Sequence, residues 1–179
     1  MKTLAKSISL LLLAVLPLVV SAQERQFPRR DEIANVESNG DMVLEVFNHP
    51  ENGENNYYLS VGHLGMGDDV VQVLFDPVCE LFIPLGNTLL EARESLEKMK
   101  ELYKADPGTV TEMPGCLSFG VPDGNWETVK VTYRKVLLSR QLLMSLERQG
   151  YIRATVVTRS DLGSLIFSMK IYQKLHPGE

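Results

Sequence analysis

The chain has no glycine-rich phosphate loop, no G-x-G-x-x-G, no EF-hand register and no G-x-S-x-G elbow. Those absences remove the sequence grounds for a nucleotide site, a calcium loop or a serine-hydrolase nucleophile. Basic residues are also in deficit, 18 against 23 acidic ones, for a net charge of −5. A protein that grips a phosphate backbone needs a cationic footprint, so nucleic acid is excluded as a partner. The same deficit disfavours adhesion to anionic lipid. No internal repeat or low-complexity tract is present, and cysteine and tryptophan are scarce, at two and one.

No apolar run reaches the roughly 20 residues that a transmembrane helix requires. The one long apolar stretch, Ile8 to Val20, has 13 residues, follows Lys2 and Lys6, and contains Pro17. Val20-Ser21-Ala22 then places small residues where a signal peptidase reads. The pattern predicts a cleavable signal peptide over 1–22, a bacterial-type exported protein, periplasmic or secreted, and no membrane span after cleavage. The leader holds two of the 18 basic residues and none of the 23 acidic ones, so the mature chain of 157 residues carries −7. That length suits one domain with a substantial core.

Residues 23–41 are polar and charged, with Pro28, Arg29, Arg30, Asn39 and Gly40, and read as a flexible lead-in. A single domain is expected over 42–179. Strand patterns occur at Met42 to Phe47, Tyr57 to His63, Val70 to Phe75 and Leu81 to Leu85, with short connections that favour antiparallel neighbours. Thr88 and Glu91 then form a capping box. Leu89, Ala92, Leu96, Met99 and Tyr103 recur at spacings of 3 and 4, which predicts a helix to about Lys104. After a loop rich in Pro and Gly, Glu127 to Val136 alternates as a half-buried strand. Leu142 to Arg148 and Tyr151 to Thr158 read as a hairpin, the first arm open to a helical reading. The segment 162–174 fits both templates: a helix capped by Ser160, or a strand alternating Leu165, Phe167, Met169 and Ile171. The sum is an α+β fold, a mostly antiparallel sheet of about six or seven strands with one or two helices packed on one face.

Chemistry-bearing residues are few. Cys79 and Cys116 are a disulfide candidate in an oxidising compartment, a bond that would stabilise the fold by about 3–4 kcal/mol. The alternative is two buried thiols acting as small hydrophobes. His63, Asp68 and Asp69 flank a run of glycines that serves a hairpin turn or, less simply, a ligand. Trp126 follows the turn Pro122-Asp123-Gly124-Asn125; it is either a core residue or a stacking platform for a sugar or a partner side chain. Tyr57 and Tyr58 are adjacent and must face opposite sides of a strand, one buried and one at the surface. No catalytic set, no metal-ligand set and no cofactor motif emerges. The composition points to a non-enzymatic exported binding or protein-interaction module for a protein, small-molecule or glycan partner. The alternatives are a small extracytoplasmic hydrolase with dispersed residues, and a structural subunit of an envelope assembly.

Overall fold

Strands written with apolar residues on alternate positions must find neighbours for their backbones and a cover for their greasy face. In the computed structural model, which describes residues 28–37, 41–49, 53–62, 65–66, 80–148 and 151–177, they do so in one curled sheet. Its strands are β1 (Arg29–Glu37), β2 (Asp41–Asn48), β3 (Asn55–Val61), β4 (Gly65–Met66), β5 (Glu80–Gly86), β6 (Val110–Ser118), β7 (Glu127–Val136), β8 (Ser139–Arg148) and β9 (Tyr151–Thr158). Two helices, α1 (Leu89–Glu101) and α2 (Arg159–Leu175), complete the fold, with a 3₁₀ turn at Leu102–Lys104. The order across the sheet is β1-β2-β3-β5-β6-β7-β8-β9-β4, and every pairing is antiparallel.

Among the described residues the strand count is therefore eight, plus the two-residue β4, rather than six or seven. A flat sheet with helices on one face is also too simple a picture. α2 packs against β1 and β9, which stand near opposite ends of the strand order, so the sheet wraps round it as a half-barrel. Leu89, Ala92, Leu96 and Met99 of α1 join Leu162, Leu165, Ile166 and Met169 of α2 in one core with Leu44, Leu59, Leu81, Val131 and Leu142 of the strands. Tyr103 reaches across this core, its hydroxyl donating to the Val157 carbonyl at 2.8 Å.

Local chemistry sets both helix starts. The Thr88 hydroxyl accepts from the Glu91 N–H, and the Glu91 carboxylate accepts from the Thr88 N–H, each at 3.2 Å. Thr158 and Asp161 repeat this reciprocal cap, so the N-cap of α2 lies two residues before the expected Ser160, and the ambiguous last segment is helix. Two further expectations change, and one open reading is resolved. The lead-in expected over 23–41 is, from Arg29 to Glu37, strand β1; its Ile33, Ala34 and Val36 pack on the core while its backbone pairs with β2. The hairpin expected over Leu142 to Arg148 and Tyr151 to Thr158 is present, with β8 a strand throughout. The Pro/Gly-rich stretch before Trp126 contains β6, which breaker residues hid. The strand expected at 70–75 and the leader lie outside the described residues.

β6 is the corner of the sheet. From Val110 to Gly115 it pairs with β7, and from Cys116 to Ser118 with β5. Gly115 sits at the change of partner, where an added Cβ would meet the Val129 methyl at 2.4 Å and Leu81 at 3.1 Å. Only a residue without a side chain lets the two sheet halves approach this closely. Pro114, which lacks a backbone donor, is tolerated because β6 has a neighbour on one side only at that point.

Candidate functional site

Strands that bury their inner face against helices usually leave the outer face wet, and β2, β3 and β5 do not. Phe47, Tyr58, Phe82 and Cys116 form a second buried cluster on the outer side, with the three rings edge to face at 5.4–6.1 Å. Glu45 stands among them with no exposed surface. The Arg30 guanidinium caps the cluster. It donates to Glu45, to Glu80 at 3.0 Å and to the Gly120 carbonyl at 3.1 Å, and lies 5.8 and 5.9 Å from the Phe47 and Phe82 ring centres. Ser60 donates to Glu80 at 3.2 Å, so four strands and the loop after β6 meet at these groups.

Burial pushes the Glu45 carboxyl up to about 7, against the opposing pull of Arg30. Its Oε1 is buried with no hydrogen-bond partner among the described residues, which adds to the penalty on the charged form. Cys116 carries a free thiol that donates to the Asp123 carboxylate at 3.0 Å. Burial, then that hydrogen bond, pushes the thiol up. A thiol held protonated is a poor nucleophile, and a carboxyl with no accessible surface cannot reach a substrate. This cluster binds the sheet together; its chemistry does not point to catalysis.

One concave feature lies at the sheet corner. β5 and β6 pair over three residues only, Glu80↔Ser118, Leu81↔Leu117 and Phe82↔Cys116, and then separate. Beyond that point the ladders give Ile83–Gly86 a partner only in β3, and Val110–Gly115 a partner only in β7. Two strand edges thus face each other across a notch. α1 forms its floor, and the Ser95 hydroxyl donates to the Leu85 carbonyl at 2.7 Å, satisfying one group of the β5 edge. The notch holds a cleft of about 290 Å³ lined by Ile83, Met99, Leu102 and Met113, with Lys98 and Glu112 bringing opposite charges to its rim. Its polar groups are the side chains of Ser95, Thr111, Lys98 and Glu112 and the two backbone edges.

Of the residues singled out from the sequence, Trp126 is 45% exposed and stacks on Tyr58, with ring centres 6.3 Å apart and planes 10° from parallel. It is neither core nor a bare platform. Tyr57 and Tyr58 do face opposite sides, but both are buried, one in each cluster. Cys116 is described and unbonded; Cys79, His63, Asp68 and Asp69 lie outside the described residues. Among the described residues no group of three or more His, Cys, Asp or Glu is placed to hold a metal ion. Arg30, Glu45 and Glu80 were missed. One signal was available: Glu45 interrupts the apolar run Met42-Val43-Leu44-Glu45-Val46-Phe47 on a strand that buries both faces. The notch had no signal, since it arises from where two strands part company. Comparison with models of protein families, with curated proteins and with solved structures finds no match to this chain.

Proposed function

We propose that this is an exported, non-enzymatic binding module that takes a short extended segment of a partner protein into the notch between β5 and β6. One observation carries the reading: two strand edges diverge over a cleft of about 290 Å³ that has both apolar and polar lining. A peptide added along the β6 edge gains main-chain hydrogen bonds, and alternate side chains point to one face, so one of them enters the cleft. The bound segment is apolar at the residue that enters, to meet Ile83, Met99, Leu102 and Met113, with polar neighbours that reach Thr111, Lys98 and Glu112. A peptide fits this site better than a glycan, because the one tryptophan is engaged with Tyr58 on the outer face. Cleavage of the leader after Ala22 puts the module outside the cytoplasm, where Cys116 stays a free thiol. The hydrolase alternative is less favoured, because Glu45 and Cys116 are both covered and the thiol is held protonated. A second copy supplying the segment would turn the same edge into an assembly contact.

A panel of fluorescent peptides that alternate apolar and polar residues, read by polarisation, tests the reading. Met113→Arg fills the cleft with a long charged side chain and is expected to abolish binding, while bound peptide slows amide exchange over Val110–Met113. Binding that survives Met113→Arg and leaves those amides unprotected places the site elsewhere.

A further inference from the structure

The hairpin between β7 and β8 breaks three local rules at one point. Its turn is Leu137-Leu138, where hairpins favour Asn or Gly. Leu137 has φ 54°, the only non-glycine residue with positive φ among those described. That backbone is strained for a leucine. Both side chains are almost wholly in water, at 90% and 101% exposure, with Val136 at 47% beside them. Just behind the turn the register sets Lys135 directly opposite Arg140, a like-charge pair that weakens a hairpin. Folding alone explains none of these choices, and such coincidences mark positions held for another purpose.

The finger stands clear of its neighbours. β6 pairs with β7 only as far as Thr132, and β9 with β8 only as far as Gln141. The 108–109 turn is hydrogen-bonded to Tyr133, so Arg134 to Val136 project beyond it, by about 10 Å at strand spacing. Charge is sorted in the same direction. From Thr128 to Leu146 the chain has Lys130, Arg134, Lys135 and Arg140 and no acidic residue, against a chain total of −5. Exposed Arg159 follows Thr158, the partner of Gln141, at the same end of the sheet. Asp106 belongs to the turn at the finger's root, and Glu127 and Glu147 stand at the far ends of the two strands.

We propose that this tip is a membrane-docking finger: Leu137 and Leu138 enter the headgroup region of an anionic bilayer while Lys135, Arg140 and Arg159 meet lipid phosphates. An apolar knob inside a cationic collar matches such an interface, apolar below and anionic at the surface. The negative total charge does not oppose it, because at physiological ionic strength charges beyond about 8 Å are screened and the local cations dominate. Docking is peripheral; no helix among the described residues is long and apolar enough to cross a membrane. The inference is independent of the peptide notch, which lies on the other side of β6.

Vesicle co-sedimentation of the mature chain decides it, using phosphatidylglycerol/phosphatidylethanolamine vesicles against pure phosphatidylcholine. The expected result is binding to the anionic vesicles only, weakened by salt. Lys135→Glu with Arg140→Glu should reduce it by about tenfold or more, since each cation contributes about 1 kcal/mol. Leu137→Gly with Leu138→Asn suits the turn, so this variant should unfold at a higher temperature than the parent yet lose vesicle binding. Its gain in stability separates lost docking from misfolding. No binding to the anionic vesicles, or binding unchanged in both variants, overturns the proposal. So does binding of a purified partner protein that depends on the leucines when vesicles are not bound.

Discussion

The inner and outer faces of β2, β3 and β5 are made by the same strands and closed by different chemistry. Inside, Leu44, Leu59, Leu81 and Ile83 meet two amphipathic helices, and the cover is several apolar side chains deep. Outside, Phe47, Tyr58 and Phe82 are closed by one arginine and the stacked indole of Trp126. The inner face needs only bulk apolar area, which is non-directional and tolerant in detail. The outer face depends on a charge pair whose partners come from the first and second strands, and on a carboxyl that is uncomfortable when ionised. One half of the molecule is held by area, the other by a few specific groups.

The largest expected effect falls on the inner face. Leu96 is fully buried in α1, and Leu96→Ala should cost about 2–5 kcal/mol through lost transfer energy and a residual cavity. A urea midpoint close to the parent's would mean that the helices cover the core more loosely than the packing implies.

On the outer face the signature is pH rather than size. Glu45 sits at about 7 in the folded chain, above its ordinary value near 4.5. A raised carboxyl favours the folded state while it is protonated, so its contribution is fully present below about pH 4.5 and is lost as pH rises through about 7. Glu45→Gln removes that titration. The stability of the parent relative to Glu45→Gln should therefore fall between those limits, by up to about 1.4 kcal/mol per pH unit, and then level off. Urea unfolding of both at pH 4.5, 6 and 8 measures it. A difference that grows with pH would show Arg30 outweighing burial, and the contrast between the faces would shrink.

The smallest effect belongs to the lid of the outer cluster. Trp126→Ala removes a stacked ring from Tyr58 and should cost about 1 kcal/mol, typical of an aromatic pair at the surface. A loss as large as that of Leu96→Ala would show the indole to be a structural plug for the whole cluster.

Legibility follows the same division. α1 was readable to the residue at its start, since a capping box and a 3–4 apolar spacing are local facts about one short segment. β7 was readable from alternation, and β2, β3, β5 and the β8–β9 hairpin from apolar runs bounded by turn residues, for the same reason. β1 was not, because its cohesion comes from pairing with β2 and from Arg30 reaching Glu45, fifteen positions away. β6 was hidden by Pro114 and Gly115, residues that break isolated strands but suit a sheet corner with one neighbour missing. Composition and periodicity thus determined a mostly antiparallel α+β chain and its best helix. The curl of the sheet, the second buried face, the notch and the projecting finger were decided only by tertiary structure. Each depends on which distant strands meet and where they stop meeting, and no local pattern of side chains encodes that.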